Sequence, residues 1–156
     1  MMRVFVKTTF VILFSVTALF WIEGCKRKPD TAVLGQYFAR CARFESTEDR
    51  FFVVDPNTSR AVPLDQLPRF LFRSADGQHT AQQLMDLYAE KSGKPFPPEV
   101  GLQVASTLNQ FVAKKLIRLS PTPVALPYYL ATPISEQDAE KAKEEMEKDG
   151  FGKQKL

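Results

Sequence analysis

Phe51-Phe52-Val53-Val54-Asp55-Pro56-Asn57-Thr58-Ser59-Arg60-Ala61-Val62-Pro63-Leu64, residues 51–64, is the stretch whose reading decides the fold. Residues 51–54 are aromatic and β-branched, side chains that suit a pleated, half-buried surface, so they predict a strand. Asp55 to Thr58 is turn chemistry, because proline presets φ and asparagine tolerates left-handed geometry. Arg60 to Leu64 then returns as the second arm of a hairpin. Pro63 has no amide hydrogen and belongs at an edge or at the strand end.

Upstream of this hairpin, Tyr37 to Glu45 (YFARCARFE) reads as a first strand, although its alternation leaves no clean polar face. Downstream, Asp65 can cap a short helix with Pro68 in its first turn and Phe70 and Leu71 inward. Asp76-Gly77 breaks the chain. Thr80 caps a helix over Ala81 to Lys91, with Leu84, Leu87 and Tyr88 on one face and Gly93 stopping it. A proline-rich loop follows, and Glu99 opens a longer helix to about Lys115. In it Val100, Val104, Leu108, Phe111 and Val112 recur at helical spacing as one apolar stripe. Leu116 to Leu119 reads as a brief closing strand. Strands followed by helices indicate an α+β domain, here a three-stranded antiparallel sheet plus three helices. Three strands alone are marginal, so the helices must cover one face.

Outside this domain (residues 37–120) the composition changes. Prolines at 121, 123, 127 and 133 exclude a long regular element before Ser135, and the apolar 124–126 and 128–130 stretches suit an extended segment lying across the domain. Residues 136–148 are almost wholly Glu, Lys, Ala and Asp. Ser135 with Asp138 gives a weak capping signal for a solvated helix over Glu136 to Lys148, but the stretch has little to bury and is expected to fray, so residues 121–156 form a proline-containing extension and charged tail.

At the other end, Arg3 and Lys7 precede fifteen uncharged, strongly apolar residues, Thr8 to Ile22. That run is shorter than the roughly 20 residues a helix needs to cross a bilayer core, and it has the length of a secretory signal. Ile22-Glu23-Gly24-Cys25 closes it and resembles a bacterial lipoprotein signal, with Glu23 departing from the usual small residue. The resemblance implies cleavage before Cys25 and lipidation of its thiol, hence a domain tethered at the cell envelope through residues 25–36. Each buried acyl methylene adds about 0.8 kcal/mol, so multiple chains form a stable anchor. The alternatives are an uncleaved signal anchor, a membrane-targeting helix of residues 1–24 spanning from about Val4 with either orientation, and a buried core helix. Arg3 and Lys7 on one side, and Lys26, Arg27 and Lys28 on the other, give the positive-inside rule no preference.

The net charge of +3 is too small for the dense basic clustering of a nucleic-acid binder. Two cysteines and one histidine cannot supply a tetrahedral zinc site from Cys and His alone, and small disulfide-built domains use more cysteines. The sequence has no Gly-rich phosphate loop, HExxH or GxSxG. His79 reads as a surface polar residue and Cys41 as a small packing hydrophobe. The chain is therefore expected to be non-enzymatic, with no catalytic residue, metal, cofactor or small-molecule substrate.

From about Arg50 to Leu119 the chain resembles the PqqD-like family, small winged-helix domains named from pyrroloquinoline-quinone biosynthesis. The points of contact are the 51–64 hairpin and the tract Asp76-Gly77-Gln78-His79-Thr80, similar to the family's DG-x-x-T helix start, with Leu84 after it. A last helix ending in the apolar-basic step Phe111 to Ile117 completes the match. The resemblance implies a peptide recognition element in which a partner segment adds as an extra strand beside the hairpin. On this chain it implies a site on Arg60, Ala61 and Val62, faced by Leu108, Phe111, Val112 and Lys115. Known members act on peptides in the cytoplasm beside a modifying enzyme, so an exported domain would have another partner. Two further classes stand beside this one: an assembly lipoprotein docking to an envelope complex through Val124 to Leu130 and the charged tail, and a DNA-binding winged helix. The last has only Asn109, Gln110, Lys114 and Lys115 to offer the major groove.

Overall fold

A computed structural model describes residues 29–48 and 50–150; the expected signal or anchor and Cys25 lie outside the described residues. The strands are β1 (Tyr37–Arg40), β2 (Phe44–Ser46), β3 (Phe51–Val54), β4 (Ala61–Pro63), β5 (Asp76–Thr80) and β6 (Ile117–Ser120). The helices are α1 (Gln66–Arg73), α2 (Ala81–Ser92), α3 (Pro98–Ala113), α4 (Tyr128–Ala131) and α5 (Ala139–Lys148), with 3-10 turns at Thr31–Gly35 and Ile134–Glu136. No helix among the described residues is long and apolar enough to cross a membrane.

The class is α+β, but with two small antiparallel sheets, ordered β5-β1-β6 and β2-β3-β4, in place of the one expected. The difference arises in Tyr37 to Glu45, predicted as a single strand. The chain leaves the first sheet after Arg40, bends through Cys41, Ala42 and Arg43, and enters the second at Phe44. The Cys41 N–H donates to Leu116 C=O (2.8 Å) at the bend, and Ala42 is buried. Both faces of β1 are covered, Phe38 by the core and Ala39 by the extension, which explains the missing polar face.

Phe72 joins the second sheet to the helices. Its ring, fully buried on α1, meets Phe44 of β2, Phe51 of β3 and Phe111 of α3 edge-on, with centroids 6.0, 6.2 and 6.2 Å away. Edge-to-face aromatic pairs add roughly 0.5–1.5 kcal/mol each beyond the area they bury. Val104, Ala105 and Leu108 complete the α3 side of this core. On α1 the buried pair is Leu71 and Phe72, while Phe70, expected inward, is 55% exposed. On α2 the buried residues are Ala81 and Met85, and Leu87 and Tyr88 are exposed.

The Asp76-Gly77 tract, read as a break, is part of β5, held by an unusual local geometry. Gly77 has φ +75°, and a Cβ there would run into the Val124 carbonyl oxygen. Val124 N–H donates to Gly77 C=O (2.8 Å), and Gln78 Nε2 donates back to Val124 C=O (3.1 Å). Residues 121–127 thus lie across the domain as the prolines required. Residues 128–130, expected extended, instead begin α4.

The charged tail is ordered through Gly150, against expectation. Asp138 caps α5 by accepting from Lys141 N–H (2.9 Å), and Ala142 packs on Tyr129 and Leu130. Polar contacts do most of the docking. Tyr128 N–H donates to Glu145 (2.7 Å), Gln137 Nε2 donates to Tyr129 C=O (2.9 Å), and Ser135 N–H donates to Glu45 of β2 (2.9 Å). The apolar contacts of α5 itself are Ala142 and Met146, too few for a broad stripe.

Replacing Phe72 with Ala removes three aromatic contacts and leaves a cavity at the junction of sheet and helices. Stability, followed by urea unfolding with circular dichroism, is expected to fall by about 3–5 kcal/mol.

Candidate functional site

The hairpin β3–β4 is hydrogen-bonded in an alternating register that determines which backbone groups face outward. Asp55 N–H donates to Arg60 C=O (2.9 Å), toward β4, whereas Val54 N–H donates to Arg43 C=O (2.9 Å), away from it. With Val54 opposite Ala61, Val53 opposite Val62 and Phe52 opposite Pro63, antiparallel alternation turns Val62 toward β3. The outward groups of β4 are then Ala61 N–H, Ala61 C=O and Pro63 C=O. Pro63 contributes no donor. No strand pairs with this side among the described residues. The extension approaches two other edges, where Ser135 bonds the Glu45 carboxylate of β2 and Val124 N–H donates to Gly77 C=O of β5; the outer side of β6 has no strand partner among the described residues either.

The residues singled out in the sequence separate into two groups. Arg60 and Ala61 are exposed and Val62 half-buried, all at the β4 edge. On α3, Val112 is 38% exposed and Lys115 is exposed, but Leu108 (0%) and Phe111 (5%) point into the core. Leu108 and Phe111 are corrected from groove to core residues: they lie at the centre of the apolar stripe, and the stripe faces Phe72. Cys25 is outside the described residues. The link between β4 and α3 is Asn57, whose Nδ2 donates to Lys114 C=O (3.1 Å) and binds the hairpin turn to the end of α3. Lys115 follows with φ +58°, turning the chain toward β6.

A second concave feature was not legible in the sequence. An apolar cleft of about 360 Å³ opens between α1, α2 and α3, lined by Leu67, Phe70, Leu84, Met85, Tyr88 and Phe96 among others. Tyr88 and Phe96 stack edge-on at 5.0 Å. The exposed Phe70 and Tyr88 were the available signal, hidden because helical spacing alone placed both inward.

The polar groups serve structure. Asp76 Oδ1 accepts from Gln78 N–H (2.7 Å) and His79 N–H (3.2 Å), and its Oδ2 pairs with His79 Nδ1 (2.8 Å). Thr80 and Gln83 form a reciprocal capping box at the start of α2. Burial pushes the Cys41 thiol upward, with Arg118 opposing, which disfavours the thiolate. Burial likewise lowers the Arg40 guanidinium, which lies 4.8 Å from the Phe44 ring centroid; its Nε is buried without a hydrogen-bond partner among the described residues. No group of three His, Cys, Asp or Glu among the described residues is placed to hold a metal. Comparison of the chain with protein-family models, curated proteins and solved structures finds no match.

Burial raises the Asp76 carboxyl, but the hydrogen bonds from Gln78 and His79 outweigh it and hold the group below its ordinary value. A carboxyl depressed in the folded state contributes stability above the unfolded value, about 4, and loses it as pH falls through the folded one. Unfolding free energy measured between pH 6 and pH 3 is therefore expected to fall less steeply in Asp76→Asn than in the wild-type chain.

Proposed function

We propose that this chain is a membrane-tethered, non-enzymatic binding protein whose domain takes up an extended peptide or protein segment by strand addition at β4. The observation that carries the reading is the β4 edge: its outward Ala61 N–H and the Ala61 and Pro63 carbonyls have no strand partner among the described residues, and Arg60 and Ala61 beside them are exposed. A partner strand supplies main-chain hydrogen bonds there, and the half-buried Val62 with the exposed Val112 offer apolar contact beside them. The order α1, β5, α2, α3, β6, with β1 between β5 and β6, supports a winged-helix-like reading of the domain. It also supports the likeness to the PqqD-like family given by residues 50–119.

The tether reading rests on Thr8 to Ile22 and the Gly24-Cys25 step, with acyl chains on the Cys25 sulfur holding the domain at the envelope. The described fold fits a short tether. Asp30 is fixed to α3, its carbonyl accepting from Asn109 Nδ2 (2.9 Å), so only four residues separate it from Cys25. Extended chain reaches at most about 3.6 Å per residue, so the five steps from Cys25 keep Asp30 within roughly 18 Å of the lipidated sulfur. The same bond weakens the DNA-binding alternative, because Asn109 also donates to Ala105 C=O (2.9 Å) and is committed within the fold. The assembly reading has a specific observation against it too: Val124, Tyr129 and Leu130 already lie against the domain.

Two measurements test these readings separately. In cells fed a radiolabelled fatty acid, the wild-type chain is expected to take up label and Cys25→Ala to take up none; an unlabelled wild type carrying Met1 ends the lipoprotein reading. Ala61→Pro removes the outward donor of β4 and leaves the β3–β4 bonds intact. It is expected to abolish binding of segments selected on the full-length protein while the thermal midpoint stays within a few degrees. Retained binding ends the strand-addition reading.

A further inference from the structure

We propose that the segment added at β4 is acidic at the end nearer the 55–60 turn, recognised there by a cation cluster of Arg60, Lys114 and Lys115. This deepens the strand-addition reading and rests on it. Arg60 and Lys114 are far apart in the sequence, and the hydrogen bond from Asn57 Nδ2 to Lys114 C=O (3.1 Å) places the α3 terminus against the turn that leads into β4. Arg60 precedes Ala61, the residue with both outward backbone groups, and Lys115 follows Lys114 in left-handed conformation. All three side chains are exposed, and no ion pair within 4 Å joins any of them to an acid among the described residues.

The nearest acid of the turn is already in use. Asp55 accepts from Asn57 N–H (2.7 Å) and Asn57 Nδ2 (3.1 Å), which aims its carboxylate into the turn. At the other end of β4 the balance differs: Arg69 Nη2 donates to Leu64 C=O (3.2 Å) and lies over the Phe51 ring, while Asp65 is exposed without a side-chain capping bond. The edge is thus cationic at the turn end and mixed at the Leu64 end. Like charges suppress the wrong partner as opposite charges recruit the right one, so this asymmetry selects both the composition and the direction of the incoming strand.

The test uses the full-length protein in nanodiscs on an array of random twelve-residue peptides, at low and at high salt. The bound set is expected to be enriched in Asp and Glu toward one terminus and to lose at least tenfold in signal at high salt. The triple variant Arg60→Gln, Lys114→Gln, Lys115→Gln is expected to lose that enrichment while retaining binding of neutral apolar peptides that Ala61→Pro abolishes. Binding that is abolished by Ala61→Pro but shows no acidic bias overturns the cation-cluster inference and leaves strand addition standing. Binding indifferent to Ala61→Pro overturns strand addition and this inference with it, as does an array with no bound peptide. Acidic enrichment that survives in the triple variant assigns it to other cations and also overturns the proposal.

Discussion

The contact on which the rest of the molecule depends is the meeting of four phenylalanine rings around Phe72. Two of the rings belong to the β2-β3-β4 sheet, one to α1 and one to α3, so the cluster fixes a small sheet that has too few strands to persist alone. The β4 edge belongs to that sheet. Its turn reaches the Lys114 carbonyl through Asn57, and the register with β3 gives the outward backbone groups of Ala61 and Pro63 a defined direction. Were Phe72 smaller, the sheet could slide on the helices and the asymmetry of charge about β4 would blur.

A second layer of constraint comes from the C-terminal extension, which holds chiefly by polar contacts where the core holds by apolar ones. Val124 is seated at Gly77 because no side chain there leaves room for its carbonyl. Glu45 fixes Ser135, and Gln137 connects Arg43 to the carbonyls of Tyr129 and Thr132. The Tyr129 hydroxyl donates to Asp149 (2.9 Å), and burial together with that carboxylate raises its pKa. Hydrogen bonds of this kind contribute about 1 kcal/mol each, so the extension is secured by their number and by the small Tyr129, Leu130 and Ala142 cluster. It lies against β2 at Glu45 and against β5 at Gly77.

That division explains which parts of the molecule could be read from the residues alone. The hairpin, the Thr80 cap, the Gly93 stop and the α3 stripe all follow from local signals of residue type and spacing, and all are present. The split of Tyr37 to Glu45 between two sheets is not a local property. It goes with the bend at Cys41 to Arg43, where the Cys41 N–H bonds the carbonyl of Leu116, more than seventy residues later. The α5 helix had a capping signal at Asp138, but its apolar contacts, Ala142 and Met146 against Tyr129 and Leu130, exist only because the 128–131 segment folds back on it. Among the candidate site residues, Arg60, Ala61 and Val62 are placed at an edge because Pro63 announces one, whereas Leu108 and Phe111 illustrate that a stripe long enough to suggest a groove is first of all what a helix needs to pack.

The shortness of β4 sets what its partner must supply. Three outward backbone groups, at roughly 1 kcal/mol per hydrogen bond, contribute about 3 kcal/mol, whereas a micromolar complex needs about 8. Main-chain pairing therefore orients a segment here without retaining it. In the proposed complex the difference has to come from apolar contact at Val62 and Val112 and from the cations at the turn end. A three-residue edge bearing a proline is also a poor template for a second copy of itself, because each copy offers only one outward N–H donor, that of Ala61. An edge this short and this weakly paired suits, on the proposed reading, a dissimilar segment that brings its own apolar and acidic side chains.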